Sequence, residues 1–449
     1  MNRHRSSLSR IWIAALLTLV GFFCANRASA QEGLPRHGVI GLQVGARDIT
    51  QPTGPQNPVV VHRVIDGSAG AAAGVQKDDV IIAVGGVTVT SGVQFAQMVV
   101  QHLAGEIVEL AVVRNGQELK LKAVLKPRPW ETDDQAEVLY QSVEVRGARR
   151  RVIVTKPKTE GRHPAVLLIG GLGCDSMDGI GREAGYGAVI AAFESRDYVT
   201  MRVEKTGVGD SEGPLCTDQA ATPELEAEGY VVGLRVLKGY EFVDPAKVFV
   251  FAHSMGPVVG SLAIAKEPVH GFMAVETVGT SWFEYDLERS RVQHGLRETP
   301  EETDRSLQRY EVCSHKFYVE KAKPTELAKI AGCESMTEPF GNVPYTYMQA
   351  AADISLGKQW KDADFPVLVV YGTASPVTTA HQSQSLVETI NKWHPGRATY
   401  AEVPGMGHDL AKYDSQLAYI QRKLTDEHPF HQGLVEVTMN WIDGVLAKP

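Results

Sequence analysis

Short apolar runs alternate with stretches of helical periodicity over residues 135–449. The runs lie at residues 165–169, 198–203, 248–251, 272–278, 367–371 and 398–403. Runs that are apolar on both faces are typical of strands in a parallel sheet that helices cover on both sides. Residues 227–237, between two of the runs, place apolar side chains at the spacing of an amphipathic helix. The alternation predicts an α/β fold with a mostly parallel, doubly wound sheet.

The preceding block, residues 36–127, combines short strands with frequent glycines. Strands are predicted at residues 59–61, 64–65, 79–84, 107–113 and 119–125, and a helix at residues 95–102. Glycine-containing turns separate these strands, as in a small β-rich domain. Residues 128–134 are acidic and contain proline, which predicts a linker. The sequence therefore predicts two folded domains.

Residues 1–30 have the composition of a secretory signal peptide. Its basic, apolar and small-residue segments fall at residues 3–10, 11–23 and 28–30. The apolar segment is too short to favour a membrane span, and an uncleaved anchor is the alternative. Cleavage predicts an exported protein, periplasmic or secreted, with no stable membrane span in the mature chain.

Composition narrows the classes of function. The chain has 449 residues and is 43% hydrophobic, which is ample for large cores. Its net charge of −8 becomes −12 without residues 1–30, because that segment carries four arginines and no acidic residue. Nucleic-acid binding requires basic surfaces, so no nucleic-acid partner is expected.

The cysteines are expected to pair, because an exported protein folds in an oxidising compartment. Cys24 lies in the predicted signal peptide, and the four others allow three pairings. Cys174 and Cys216 each follow a turn after a strand of the predicted parallel sheet, so they should lie at the same edge of it. This favours disulfides Cys174–Cys216 and Cys313–Cys333, with free buried thiols as the alternative.

Residues 248–256 join a buried strand to a helix through the turn Ala-His-Ser-Met-Gly. Such a turn strains the backbone of its central residue, so the residues two before and two after it must be small. Ala252 and Gly256 meet this requirement around Ser254. Ser254 is therefore a candidate nucleophile, and a serine that only caps the helix is the alternative.

Residues 36–127 resemble a PDZ domain of the kind attached to exported bacterial proteases. The similarity is carried by residues 66–75, 77–81, 85–87 and 114–116. In that family a loop presents backbone N–H groups to the carboxylate of a peptide C-terminus, and the peptide adds as a strand. The corresponding loop here is Gly38, Val39, Ile40, Gly41 and Leu42. The resemblance implies a peptide or protein partner, and a domain that only packs against its neighbour is the alternative.

Residues 135–449 resemble an α/β-hydrolase of the serine esterase or lipase type. The supporting motifs are residues 170–173, 207–213, the turn around Ser254, and residues 404–408 after the last strand. The resemblance implies that Ser254 is the nucleophile and His408 its base. The oxyanion that forms on attack needs fixed hydrogen-bond donors. The backbone N–H groups of Met255 and Leu172 are the candidates, with Gly171 as the neighbouring option.

The third member of the triad departs from the common family pattern. Ser375 stands where the family usually has Asp, and serine carries no negative charge. Some lipases of this fold place the acid after the strand that follows the nucleophile strand, and Glu276 is found there. Glu276 is therefore the candidate acid; a Glu that bonds only a lid or backbone amides is the alternative. Asp362 and Asp364 look like solvated charges, and Asp409 is adjacent in sequence to the predicted base.

The insertion at residues 281–364 predicts a helical cap over the active site. Six of its side chains either line the inner face of the cap or form the cap's own core: Trp282, Phe283, Tyr285, Tyr345, Tyr347 and Met348.

These features predict an exported serine hydrolase that cleaves a carboxylic ester through an acyl-enzyme, without metal or cofactor. A small ester or acyl compound is the expected substrate, and an amide or peptide bond is the alternative. A second hypothesis is a catalytically inactive scaffold that binds peptides through the PDZ domain. A Glu276 carboxylate near the His408 ring would favour the enzyme.

Overall fold

The computed structural model describes residues 33–46, 58–333, 342–423 and 426–448. The predicted signal peptide lies outside these residues. Within the described ranges, no helix is long and apolar enough to cross a membrane.

The N-terminal domain is built around an antiparallel sheet whose strands follow the order β2-β3-β4-β6-β7, with β5 paired to β4. Its elements are β1 Gly38–Val39, β2 Leu42–Ala46, β3 Val59–Val64, α1 Ala69–Ala72, β4 Val80–Val84, β5 Val87–Thr88, α2 Gly92–Val100, β6 Ile107–Arg114, β7 Gln117–Val124 and β8 Lys126–Pro127. Strand β1 pairs with β8, and β2 forms one edge of the larger sheet. Phe95 and Val99 of α2 pack into the core with Leu110 and Val112 of β6. Helix α2 begins after the Ser91 cap, earlier than the sequence predicts, because the Ser91 hydroxyl accepts the N–H of Gln94.

The C-terminal domain alternates strands and helices as its sequence pattern predicts. Its elements are β9 Ala136–Val145, β10 Ala148–Pro157, β11 His163–Ile169, α3 Gly185–Glu194, β12 Val199–Val203, α4 Pro223–Gly239, β13 Val243–His253, α5 Gly256–Ile264, β14 Gly271–Val275, α6 Trp282–Gly295, α7 Pro300–Ser314, the π-helix His315–Val319, α8 Pro324–Leu327, α9 Tyr345–Ala352, α10 Leu356–Trp360, β15 Val367–Gly372, α11 Ala380–Trp393, β16 Ala398–Val403, α12 Gln416–Gln421 and α13 Gln432–Leu446.

The central sheet of this domain has eight strands in the order β16-β15-β14-β13-β11-β12-β10-β9. Strands β11 to β16 run parallel, whereas β10 is antiparallel to both β9 and β12. Separate apolar cores cover the two faces: one includes residues of α4 and α5, and the other residues of α3 and α13. The predicted α/β fold with a mostly parallel, doubly wound sheet is thus confirmed. The carboxyl ends of the parallel strands meet at one edge, where ligands bind in such sheets.

The described part of the segment between β14 and β15, residues 276–333 and 342–366, is largely helical, as predicted, and packs into the core of the domain. Tyr285, Tyr347 and Met348 are buried in the same apolar cluster as α4 and α5. The Tyr347 hydroxyl donates to the carboxylate of Glu226 on α4, at 2.8 Å. These side chains therefore belong to a core that is continuous with the sheet layer.

The connection between the two domains is packed, although its composition predicts a linker. The carboxylate of Glu131 accepts two hydrogen bonds from the Arg202 guanidinium, at 2.7 and 2.8 Å. The guanidinium of Arg36 lies 4.0 Å from the centre of the Trp130 ring, an attractive cation–π arrangement. Composition alone could not reveal this packing, because the partners are distant in sequence.

Arg36, at the start of the N-terminal domain, is buried against the C-terminal domain. Its guanidinium forms ion pairs with Asp178 and with Asp210, the latter at 2.8 Å. The backbone N–H of His37 also donates to Asp210, at 2.8 Å. Buried ion pairs of this kind are costly to break, because either charge alone would remain desolvated. The N-terminal domain is thereby fixed on the loops at the carboxyl ends of the sheet.

Candidate active site

Ser254 lies in a strained turn between β13 and α5. Its φ is +60°, in the left-handed region that side chains other than glycine rarely adopt. A Cβ at Gly256 would stand 2.6 Å from the Ile169 carbonyl oxygen, so only glycine fits there. The backbone N–H of Ser254 donates to the Val275 carbonyl of the neighbouring strand, at 2.9 Å. The turn therefore holds the hydroxyl at the carboxyl edge of the sheet, as the motif predicts.

Ser254, His408 and Glu276 lie in hydrogen-bonding contact. His408 Nε2 is 2.9 Å from Ser254 Oγ, and His408 Nδ1 is 3.2 Å from Glu276 Oε2. An ionised carboxylate only accepts hydrogen bonds, so Nδ1 carries the proton and Nε2 accepts from the serine hydroxyl. This is the tautomer that a general base needs.

Glu276 is fully buried and follows β14 directly, with φ at +53°. Its carboxylate accepts hydrogen bonds from the Gly372 backbone N–H and from the Thr378 hydroxyl. These two donors compensate for the loss of water around a buried charge and fix the oxygen that faces His408. The structure thus brings the candidate acid to the base.

The other polar residues considered as acids lie elsewhere or lack a charge. Ser375 is buried behind Thr378, and the two hydroxyl oxygens are 3.4 Å apart. Asp409 accepts from the Tyr413 hydroxyl at 2.6 Å, and Asp364 forms an ion pair with Arg397 at 2.9 Å. Asp362 is exposed.

The turn after β11 passes directly beside the serine. A Cβ at Gly171 would lie 3.1 Å from the Ser254 Cβ, so the absence of a side chain permits this approach. The N–H of Gly171 donates to the Tyr186 hydroxyl at 2.7 Å, while its carbonyl accepts from Lys205 Nζ at 2.9 Å. Since Gly171 already has a partner, the Leu172 N–H is the better of the two candidate donors from this turn. The second predicted donor, Met255, caps α5.

A second hydrogen-bonded chain, which the sequence analysis missed, links this turn to the histidine. The Tyr186 hydroxyl lies 2.8 Å from His253 Nδ1, and His253 Nε2 lies 2.8 Å from the backbone carbonyl oxygen of His408. A carbonyl only accepts, so Nε2 carries the His253 proton and Nδ1 accepts from Tyr186. Every donor from Gly171 to His408 therefore has a matched acceptor.

Burial keeps the two side chains of this hydrogen-bond network, His253 and Tyr186, uncharged. Desolvation, with a smaller contribution from His408, lowers the pKa of His253 to about 3. Desolvation also raises the pKa of Tyr186 to about 12. The position of His253 directly before Ser254 was a possible signal, but Tyr186 is 67 residues from His253 and no motif marks it.

Both disulfides favoured by the sequence are present. Cys174–Cys216 joins the loop after β11 to the loop after β12, at the edge of the sheet that carries Ser254. Cys313–Cys333 ties α7 to the segment after α8. The first disulfide lies close to the turn that supplies Leu172.

The predicted peptide-binding loop lies at the start of the edge strand β2. Gly38 and Val39 pair with β8, and Leu42 begins β2. Gly41 has φ at +71°, and a Cβ there would stand 2.3 Å from the Ser68 Cβ, so only glycine fits at this turn. The carbonyl of Ile40, between them, accepts from the Gly70 N–H at 2.8 Å.

Comparison with known proteins supports the assignment of the first domain. The sequence model of the PDZ domain family matches residues 38–125. No curated protein shows significant similarity to the chain.

Solved structures similar to the chain have low sequence identity to it. Est1E from Butyrivibrio proteoclasticus with bound ferulic acid is 16% identical, with a TM-score of 0.45; the match covers 68% of this chain and 99% of that one. Acetyl xylan esterase 1 from Thermoanaerobacterium sp. is 16% identical, with a TM-score of 0.41, and the match covers 70% and 85% of the two chains. A putative dipeptidyl aminopeptidase IV from Bacteroides ovatus is 11% identical, with a TM-score of 0.45, covering 75% of this chain and 40% of that one.

The architecture of the chain follows from three findings: the strand order, the turn at Ser254 and the family match of the first domain. The chain consists of a PDZ domain at residues 38–125 followed by a domain with the α/β-hydrolase fold.

Proposed function

We propose that this protein is an exported serine hydrolase that cleaves a carboxylic ester through an acyl-enzyme. The observation that supports this best is the continuous contact from Glu276 through His408 to Ser254, with distances of 3.2 and 2.9 Å. An inactive scaffold would have no need for a buried carboxylate aimed at the ring of a histidine that in turn contacts a strained serine. The two disulfides are consistent with export.

In the proposed reaction, His408 Nε2 removes the proton of Ser254 as Oγ attacks the ester carbonyl carbon. The new C–O bond forms, and the carbonyl electrons move to oxygen, which becomes an oxyanion. The Glu276 carboxylate stabilises the imidazolium. The oxyanion then re-forms the carbonyl, the C–O bond to the alcohol breaks, and the imidazolium gives its proton to the departing alcohol. Water repeats the sequence on the acyl-enzyme, which releases the acid and restores Ser254.

The N–H groups of Leu172 and Met255 are the proposed oxyanion donors. A Cβ at Gly171 would lie 3.5 Å from Ser254 Oγ, so a carbonyl attacked by this oxygen would lie beside the turn. Each such donor typically contributes about 3 kcal/mol of transition-state stabilisation. The tight approach of the turn to Ser254 supports this assignment.

The PDZ domain is proposed to recruit a partner through the loop of residues 38–42. Its edge strand β2 offers backbone groups for an added strand. The partner is proposed to be a polypeptide with a free C-terminus. This role is separate from the chemistry at Ser254.

The test is labelling of the mature protein with a fluorophosphonate, which reacts with activated serines. Wild type should be labelled, and Ser254→Ala should not. Ser195→Ala, which changes an exposed serine at the C-terminal end of α3, is the matched control and should be labelled like wild type. Absence of labelling in folded wild type would contradict the proposal and favour the peptide-binding scaffold.

Bond preference can be tested with matched substrates on protein that has not been treated with the fluorophosphonate, because the probe blocks Ser254. Hydrolysis of p-nitrophenyl butyrate would be compared with hydrolysis of the corresponding p-nitroanilide. We expect the ester to be cleaved faster per active site, and Ser254→Ala to lose both activities. A faster reaction with the anilide would show that the amide alternative is correct.

A further inference from the structure

The peptide group that joins Gly171 to Leu172 carries both the N–H of Leu172 and the carbonyl of Gly171. Its N–H is one of the two donors proposed for the oxyanion. The bond is trans, as are all peptide bonds of the described residues. A trans peptide is planar, so its N–H and its carbonyl point in opposite directions. A contact that fixes the direction of the Gly171 carbonyl therefore fixes the direction of the Leu172 N–H as well.

The Gly171 carbonyl accepts a hydrogen bond from the ammonium group of Lys205, at 2.9 Å. The Gly171 N–H, on the preceding peptide group, donates to the Tyr186 hydroxyl at 2.7 Å. The Leu172 N–H has no acceptor among the residues that the structure describes. The turn is thus held on both sides of Gly171, while the Leu172 N–H stays available to a substrate.

Lys205 follows β12 at one residue's distance and is itself held by a buried carboxylate. It is 9% exposed, and its ammonium lies 3.2 Å from Glu226 Oε1 on α4. The Tyr230 hydroxyl donates to the same oxygen at 3.0 Å, and the Tyr347 hydroxyl donates to the other oxygen at 2.8 Å. Burial and the Glu226 carboxylate raise the pKa of both tyrosines, so their hydroxyls keep their protons. These contacts confine the Lys205 ammonium to one place beside the turn.

The positive charge of Lys205 affects the opposite end of the peptide group. A cation on the carbonyl oxygen draws electron density from the peptide nitrogen, which makes the N–H a stronger hydrogen-bond donor. The same contact prevents the peptide group from rotating. A donor that is both polarised and fixed in direction is what a developing oxyanion requires.

We propose that Lys205 is a positioning residue that directs the Leu172 N–H at the oxyanion through the peptide group they share. This inference rests on the proposed function, since it concerns the same reaction. In this role Lys205 acts through the backbone, without contact with the substrate. Its effect should appear when negative charge develops on the carbonyl oxygen, and therefore in kcat, with KM nearly unchanged.

The experiment uses the full mature chain and compares p-nitrophenyl butyrate with its thiono analogue, in which sulfur replaces the carbonyl oxygen. Sulfur is a weak hydrogen-bond acceptor, so attack on the thionoester gains little from the oxyanion donors. The ratio of kcat/KM for the ester to kcat/KM for the thionoester therefore reports on these donors. A change that only displaces Ser254 or His408 would slow both substrates equally and leave the ratio unchanged.

Two neutral variants and one control are compared with wild type. Lys205→Met keeps the length of the side chain and removes its charge and its N–H donors. Lys205→Gln also removes the charge, and it serves as the test if Lys205→Met does not fold. Lys238→Met is the matched control, because Lys238 also donates to a backbone carbonyl, that of Pro268, and to a carboxylate, that of Glu267 at 2.7 Å. Circular dichroism shows which variants are folded.

We expect kcat for the ester to fall about tenfold to a hundredfold in the Lys205 variants, less than the loss from deleting a donor outright. KM should stay within about threefold of wild type, and the ratio of ester to thionoester should fall about tenfold. Lys238→Met should match wild type in both measurements. An unchanged kcat in a folded Lys205 variant would overturn the proposal. A lower kcat with an unchanged ratio would also overturn it, because Lys205 would then have only a structural role.

The failure of this proposal can be told apart from the failure of the proposed function. Active wild type, with an unchanged ratio in the Lys205 variants, would contradict the role of Lys205 and leave the serine hydrolase proposal intact. Folded wild type that neither hydrolyses the ester nor reacts with the fluorophosphonate would contradict the proposed function, and the role of Lys205 with it.

Discussion

Two buried glutamates occupy equivalent positions at the carboxyl edge of the sheet. Glu276 directly follows β14 and Glu204 directly follows β12, and both strands belong to the parallel part of the sheet. Both side chains are almost inaccessible to solvent, at 0% and 2% exposure. Their partners nevertheless differ.

Glu276 faces the ring of His408, whereas the two hydrogen-bond donors to Glu204 are a hydroxyl and a backbone N–H. The Glu204 carboxylate accepts from the Ser176 hydroxyl at 2.7 Å and from the Met177 N–H at 2.9 Å. Desolvation raises the pKa of Glu204 to about 7, and the nearby Asp178 adds to this increase. A residue's place after a strand therefore determines only the edge at which it lies. Its chemistry depends on the groups that other elements bring to it.

The largest expected effect is the loss of activity in Glu276→Gln. The amide cannot stabilise the imidazolium and can offer an N–H where Nδ1 needs an acceptor, so kcat should fall by about 10³- to 10⁴-fold. Ester hydrolysis and the rate of fluorophosphonate labelling would measure this. Glu204→Gln is the matched control and should stay within a few-fold of wild type. Equal losses in the two variants would contradict the distinction drawn between them.

The second prediction concerns the pH dependence of stability. Folded Glu204 keeps its proton up to about pH 7, whereas an unfolded glutamate loses it near pH 4.5. Its stabilising contribution is therefore complete below pH 4.5 and is lost as the pH rises through 7. Between pH 4 and pH 8, the free energy of unfolding of wild type should fall by on the order of 3 kcal/mol relative to that of Glu204→Gln. Denaturant unfolding of both proteins at the two pH values would measure it, and a constant difference would contradict the prediction.

The third prediction tests the chain of hydrogen bonds that the sequence did not reveal. Tyr186→Phe removes the hydrogen-bond partner of the Gly171 N–H and of His253 Nδ1. Each of these two hydrogen bonds contributes about 1 kcal/mol to stability. We expect kcat to fall about tenfold with a smaller change in KM, because the turn and the His408 loop lose their alignment. Tyr198→Phe, a buried tyrosine that packs on Phe193, serves as control. An equal fall in both variants would indicate a general loss of stability.

The smallest expected effect is a partial rescue. In the double variant Glu276→Gln, Ser375→Asp, a carboxylate returns at the position that the common family pattern uses. Activity should rise about tenfold above Glu276→Gln alone, which is about 1.4 kcal/mol of transition-state stabilisation. Ser375→Asn in the same background has similar size and no charge, so it should give no increase. Equal activity of the two double variants would mean that charge at this position does not reach His408.

Much of the C-terminal domain could be predicted because its signals are local. Apolar runs indicated the parallel strands, and small residues around Ser254 indicated the strained turn. Glu276 could be proposed because it follows a strand within an apolar stretch. Each of these inferences needs only neighbouring residues and the rule that parallel strands end at one edge.

The remaining features depend on contacts between distant residues. Tyr186 is recognisable as part of the site only after the sheet brings α3 beside His253. The sequence predicts only a linker at residues 128–134, yet Glu131 pairs with Arg202, 71 residues away. Partners such as these carry no pattern in a single sequence.

The exposed edge of β2 also bears on the solubility of the protein. Unpaired strand edges promote association between chains, and many proteins protect them with charges or with a covering loop. Here the loops held by the Cys174–Cys216 disulfide and by Arg36 stand opposite that edge. These loops therefore hinder the docking of another molecule's whole sheet on β2 and leave a cavity beside β2 open to a single peptide strand. We expect the protein to remain monodisperse at high concentration while this joint is intact.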